Sequence, residues 1–498
     1  MSELLEPGGG RTEPKGTGAS GGPPGVRDPR RGRRAAGRPS SAGQSRPSSA
    51  GQGGPSSAGH GGPAAAGPGR PSSVARGGPS SPGRGRPSSP VHVRPSSAGA
   101  RHLVVPPQPG RPPGPAAGLA LPPSLRRAAP ALVGFLAIRL AGTLLVLLGC
   151  LLFGGSPYER LLRPWDAQWY EHIATYGYGF ARHGRQPGLH YRDIAFFPLY
   201  PGLVRALRLL LPFSVPVLAL AVSWGSALLA AWGIHAVVER LRDRRTATLV
   251  VLLWALLPHA VVLSVPYSES LLTACAAWGL WALLNGRWVW AGTCAALAGL
   301  ARPNGAALAA AVILAGLWLA WTTRALPAPR VLAGMALAPL GWFGYVLYVG
   351  WERGDVFGGY FAVQRDWGST FDFGLAMLRY TDHIEIGVNR PERIVAVLLV
   401  SGALLLFVAL LTEERRPLPG ALLVYTGVLL LIAVGGSAYL SCKPRFLLPA
   451  FPLLIPLADR LVAALAARPG RTRVLLASLA GPALLYGAYL VSAAPTAL

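Results

Sequence analysis

Two neighbouring stretches of the chain gather residues equipped for chemistry: RPWDAQWYEHIATYGYGF (Arg163–Phe180) and YRDIAFFPLYPGL (Tyr191–Leu203). Asp166 follows Trp165 and precedes a run of aromatics that includes Tyr170. A carboxylate placed this way can accept a proton from a sugar hydroxyl, and the faces of Trp165 and Tyr170 can stack on a pyranose ring. The same residues also suit an aromatic belt at a membrane surface that carries a solvated aspartate.

Three shorter motifs complement them. PYSES (Pro266–Ser270) sets Glu269 between two serines, and ARPNG (Ala301–Gly305) sets Arg302 and Asn304 around a helix-breaking proline. SCKPRF (Ser441–Phe446) holds Lys443 and Arg445; the only other lysine in the chain is Lys15. A point charge and a guanidinium fork this close together suit a phosphate or pyrophosphate. Each motif alone also fits a snorkelling or helix-terminal residue. A shared location with Asp166, derived below, favours the binding reading.

Other chemistries find little support. The sequence has no Asp-x-Asp for a metal-held nucleotide sugar, no Gly-rich phosphate loop and no His-rich metal spacing. His383, with Asp382 and Glu385 in TDHIE, makes one metal-ligand triplet that fits a solvated loop better. No cofactor is therefore expected. Cys150, Cys275, Cys294 and Cys442 lack metal spacing and read as buried thiols. The net charge is +26, but no aromatics interleave with the tail arginines, which argues against nucleic acid and for anionic lipid.

The elements that must position these residues are membrane helices. Residues 1–125 consist almost entirely of Gly, Pro, Ser, Ala and Arg and cannot bury enough apolar surface to offset their ordering entropy, so a disordered tail is expected. Within it Pro recurs every eight residues from Pro39 to Pro95, a low-complexity array without the apolar side chains a solenoid needs. The array reads either as a dispensable expansion or as a phosphorylatable, surface-binding tether.

Residues 126–498 form an apolar block, in which a spanning helix needs about 20 mostly apolar residues. The pattern predicts about eleven spans, near 129–153, 214–238, 247–265, 268–284, 287–301, 303–323, 331–350, 393–412, 419–436, 446–466 and 473–492. The first of these would serve as the targeting signal. Residues 198–211 differ: Arg205 and Arg208 share a face opposite leucines, as in a helix lying in the interface.

Arginine density in the short loops places the tail on the cytoplasmic side. Asp166, Glu269, Arg302, Lys443 and Arg445 then all face the opposite, extracytoplasmic side. No Asp or Glu falls in the middle of an expected span, which speaks against ion-coupled carriers that keep charges at membrane depth.

WDAQWY, GYGF, AFFPLYPGLVR, PYSESL, ARPNG and KPRF, in this order and spacing, resemble the PIG-V-type mannosyltransferases. These belong to the GT-C superfamily of polyprenyl-phosphate-sugar-dependent glycosyltransferases. The resemblance covers residues 129–492 and is strongest in FFPLYP, SES and RPNG.

It implies an all-α polytopic enzyme of a cell membrane, GT-C-like in fold. Such an enzyme takes a mannosyl group from a polyprenyl-phosphate donor and inverts its anomeric centre. By motif, Asp166 would be the catalytic carboxylate and Glu269 would line the site. Arg302, Lys443 and Arg445 are the candidates for the donor phosphate, with Trp165, Tyr170 and Asn304 contributing to substrate binding. The acceptor could be a glycolipid, a lipoglycan or a protein. The alternatives are a flippase or transporter of lipid-linked glycans, which should show inverted repeats and midplane charges, and a non-catalytic scaffold recruited through the tail.

Overall fold

The computed structural model describes residues 122–183, 190–375, 378–379, 391–437 and 440–494. These fall in one compact unit, Ser97–Leu498. The octad tail lies outside the described residues apart from its last four positions, as does the TDHIE triplet.

Regular structure is almost entirely helical. Among the described residues the one sheet is a hairpin, Ala181–His183 antiparallel to His190–Arg192. Every segment expected to span forms helix. Among the described residues six helices are long and apolar enough to cross a membrane: Pro123–Phe153, Val215–Leu241, Pro303–Thr323, Pro329–Glu352, Pro391–Leu411 and Pro469–Ser492. Two sharply bent pairs, Arg244–Ala255 with Pro258–Ser264 and Leu440–Phe446 with Phe451–Ala467, raise the number to eight. Glu269–Leu284, Trp288–Ala301 and Gly420–Gly435 are shorter. At 1.5 Å per residue they run roughly 21–24 Å, less than the roughly 30 Å hydrocarbon core. The expected eleven are thus present as helices, while six to eight have the length of a span.

Prolines set the breaks. Pro258 ends one helix at an 84° bend, and a second bend of 81° falls in the stretch holding Pro444, Pro449 and Pro452. Backbone carbonyls freed inside a membrane must find donors within the protein. Arg139, buried in the first helix, supplies them at the first bend: Nη2 donates to Ala255 O (2.6 Å) and Nη1 to Ala260 O.

The centre of the bundle is Glu269–Leu284, buried over most of its surface through small residues such as Ala274, Ala277 and Gly279. Its neighbour Trp288–Ala301 packs against Pro329–Glu352 through close backbone approach, which small residues permit. A Cβ on Gly292 would meet Gly334 O, and one on Gly341 would meet Ala296 O. Pro391–Leu411 lies at the periphery with only 17% of its apolar window buried. Leu199–Leu210 is a separate amphipathic helix that buries Tyr200 and Val204 and leaves Arg205 and Arg208 outside.

Candidate active site

Asp166 opens the helix Asp166–Tyr176. The residue before it, Trp165, adopts φ +34° and ψ −98°, a left-handed backbone conformation that non-glycine residues rarely hold without functional or structural cause. Arg163 steadies the approach through ion pairs to Glu171 (2.7 Å) and Glu159 (3.2 Å). Downstream, Asp193 is buried and accepts hydrogen bonds from the Phe180 amide (2.9 Å) and the Gly179 amide (3.0 Å), closing the aromatic loop. The backbone N–H of Asp166 donates to Tyr267 Oη (3.3 Å). Tyr267 itself is pinned through its own amide and carbonyl by Ser223 Oγ (3.0 and 2.9 Å).

Glu269 begins the next helix and is 1% exposed, with its carboxylate at the positive end of the helix dipole. Arg302 extends from the break after Trp288–Ala301, and Arg445 from the single turn Lys443–Phe446. The four side chains meet. Arg445 Nη2 lies 2.8 Å from Asp166 Oδ2, Arg445 Nε 3.6 Å from Glu269 Oε1, and Arg302 Nη1 2.7 Å from Glu269 Oε2. Arg445 also stands over Tyr267 (5.3 Å) and Phe446 (5.1 Å), a cation–π environment suited to a guanidinium.

The result is a row of alternating charge, Asp166–Arg445–Glu269–Arg302, which balances to zero. Balance is what a deeply buried cluster requires, because an unpaired charge here would be costly. Asp166 is the most open member at 17% side-chain exposure. The pairing is not saturated. Arg445 Nε and Nη1 are buried without a hydrogen-bond acceptor, and neither Glu269 oxygen receives a well-aligned hydrogen bond despite the close arginines. A buried guanidinium with idle N–H groups is prepared for an oxyanion.

A cavity of about 180 Å³ is lined by Leu398, Leu399, Leu406, Pro444, Leu447 and His259 among others, and none of the four charged residues lines it. Its lining is almost wholly apolar. Pro444 is the residue before Arg445, so the apolar cleft and the charged row share one turn of chain.

Of the sequence-predicted residues, Asp166, Glu269, Arg302 and Arg445 converge. Tyr170 joins them through Ser268: its hydroxyl is 2.6 Å from Ser268 Oγ, which also accepts from Arg302 Nη1 (3.2 Å). Burial pushes the Tyr170 phenol up to about 12, so it acts as a neutral hydroxyl. Asn304 braces the site instead of opening into it, donating to Phe446 O (3.3 Å). Trp165 is half-buried against the bundle core and shapes the turn before Asp166.

Lys443 departs from expectation. Its Nζ donates to Ala433 O (2.8 Å), to Gly436 O and, more distantly, to Val434 O (3.5 Å). The helix Gly420–Gly435 ends here with unsatisfied carbonyls and a negative dipole end, and the ammonium caps it. Its donors are committed, so a phosphate role shared with Arg445 does not follow from this geometry. Ser268 was noted only as one of the hydroxyls flanking Glu269, and Tyr267 and Ser223 were given no role from sequence, because serines and tyrosines give no spacing signal of their own. Arg139 was recognisable as a charge in mid-span but has no acidic partner to flag its role.

No family model matches the chain, and no curated protein matches it either. Among solved structures it is similar to the Archaeoglobus fulgidus oligosaccharyltransferase in its apo form, at 14% identity and a TM-score of 0.40, covering 72% of this chain and 55% of that one. It is also similar to the archaeal oligosaccharyltransferase AglB from Archaeoglobus fulgidus in complex with an inhibitory peptide and a dolichol-phosphate, at 14% identity, a TM-score of 0.36 and the same coverages. The chain spans about half the length of the solved structures it matches.

Proposed function

We propose that this protein is a membrane mannosyltransferase of the GT-C type. It transfers mannose from a polyprenyl-phosphate donor to a hydroxyl of a glycolipid, lipoglycan or protein, with inversion. The site faces the extracytoplasmic side of the cell membrane, and the basic tail lies in the cytoplasm. The observation that carries this reading is the Asp166–Arg445 ion pair of 2.8 Å, with Arg445 next in sequence to Pro444 of the apolar cleft. A phosphate on a lipid needs a cation and an apolar trough side by side, and a sugar hydroxyl needs a carboxylate within reach of both.

In this account the donor phosphate takes up the idle N–H groups of Arg445, with Arg302 supporting from the far side of Glu269. Engagement of the phosphate loosens Arg445 from Asp166. Asp166 then accepts the proton of the acceptor hydroxyl as its oxygen attacks the anomeric carbon. The bond from that carbon to the phosphate oxygen breaks, and the negative charge stays on the departing phosphate, where Arg445 stabilises it. Glu269 holds both arginines in place and takes no proton.

The test is transfer by the purified chain in liposomes, with labelled mannose supplied either on polyprenyl phosphate or on a nucleotide, together with a membrane-lipid and envelope extract as acceptor. Label should move only from the lipid donor. Transfer from the nucleotide donor, or from neither, would overturn the reading.

A further inference from the structure

Between the ends of two spans, Glu352 and Pro391, the described chain forms a short helix, Gly359–Asp366, and then a tight turn. The turn displays Phe371 and Phe373, which are 51% and 82% exposed, with ring centroids 5.0 Å apart. Phe373 holds φ +57°, a left-handed conformation that costs a bulky residue energy and persists only where the surroundings enforce it. They do. Asp372 N–H donates to Gly435 O (2.9 Å), Ser437 N–H to Thr370 O (2.7 Å) and Thr370 N–H to Ser437 Oγ (3.0 Å). The Phe371 ring rests on Gly435, where any Cβ would collide with it. A firmly held, strained turn thus presents two phenyl rings outward.

We infer that this turn docks on the lipid surface through Phe371 and Phe373, and that Lys443 links the docked turn to the charged row. The inference needs only the membrane-spanning fold and does not depend on the proposed reaction. The occupant follows from position. The turn is fastened to Gly435–Ser437, where the apolar helix Gly420–Gly435 ends, and Leu431 one turn back is 54% exposed on the same helix. Phe357, 83% exposed, follows the Glu352 span end by five residues. The Glu352 end of a full-length span lies near the level at which hydrocarbon gives way to headgroups, and phenyl rings insert favourably at that boundary. The phenyl pair therefore continues the lipid-facing belt.

The link is equally concrete. Gly436 pairs with Phe371 across a β-bridge, and its carbonyl accepts from Lys443 Nζ. Two residues further on, Arg445 reaches Asp166. Membrane contact at the phenyl pair is thereby tied to the placement of the site arginine.

The test uses the full chain in lipid nanodiscs, with Cys150, Cys275, Cys294 and Cys442 replaced and a nitroxide placed by Phe373→Cys. That side chain is so exposed that little core packing is lost. Leu375→Cys, at 55% exposure, reads the same turn with both phenyl rings intact. At both positions, collisions with oxygen should exceed those with a water-soluble nickel complex several-fold. Nickel collisions dominating at Leu375→Cys, as at an aqueous or acceptor-facing site, would overturn the docking. Adding Lys443→Met should sharpen the Leu375→Cys spectrum by freeing the turn, and an unchanged spectrum would overturn the link.

Discussion

Replacing Glu269 by Gln removes the negative charge that the cluster buries most deeply. Glu269 is 1% exposed and touches Arg302 at 2.7 Å, whereas Arg445 keeps Asp166 at 2.8 Å. The uncompensated charge therefore falls on Arg302. Two charges about 4 Å apart interact by about 4 kcal/mol at an effective dielectric of about 20, and removing one partner of a buried pair costs about 3–5 kcal/mol. Gln retains an oxygen, and Arg302 retains Ser268 Oγ at 3.2 Å, so the lower end, about 3 kcal/mol, is expected.

Adding Arg302→Met to Glu269→Gln removes both charges and should recover most of the loss, leaving the double variant within about 1 kcal/mol of the parent. The coupling between the two sites is then about 2–3 kcal/mol. Thermal unfolding of the detergent-purified protein should show a drop on the order of 5 °C for the single variant and a return toward the parent for the double. A double variant no more stable than Glu269→Gln would refute the charge-balance reasoning.

Three further substitutions probe neighbouring claims. Lys443→Met should lower thermal stability, since each buried carbonyl left without a donor costs about 1–3 kcal/mol; a raised donor KM at parental stability would restore a direct phosphate role. Tyr170→Phe should cost about 1 kcal/mol for its hydrogen bond to Ser268 and leave the pH–rate profile unmoved, because a phenol pushed up to about 12 does not titrate in the working range; a shifted limb would contradict this. Gly341→Ala drives a methyl into Ala296 O and should destabilise by about 1–3 kcal/mol. It should also reduce turnover, because the displaced helix ends at Arg302. Parental values for both would contradict the packing account.

Much of the scaffold was legible because apolar patterning over long windows has no competing explanation. The positions of the apolar helical segments followed from it, and Pro303 marked one break, whereas the 84° bend at Pro258 falls inside 247–265, which reads as one unbroken span. Length was less legible: 287–301 nearly matches the helix Trp288–Ala301, but 247–265 and 446–466 read as straight spans and instead bend by 84° and 81°. The convergence of Asp166, Glu269, Arg302 and Arg445 was suggested by their shared side of the membrane, but their pairing was not. Which carboxylate meets which arginine depends on crossings such as the Gly292–Gly334 contact, and no local sequence encodes those. Lys443 shows the opposite failure. Its proximity to Arg445 in sequence implied a common target, yet adjacent residues on one turn point to different sides, and its ammonium went to the nearest unsatisfied helix end.

The claim that Asp166 is the catalytic carboxylate is tested most directly by Asp166→Asn in liposomes containing labelled mannose on polyprenyl phosphate. Asn keeps the size of the side chain and leaves Arg445 its contact with Glu269, so the variant should stay folded at the assay temperature while losing no more stability than Glu269→Gln, because Asp166 is the more exposed carboxylate. Turnover should fall by about 10²–10⁴-fold, the usual contribution of a positioned base. A folded Asp166→Asn protein that transfers mannose at close to the parental rate would contradict the account.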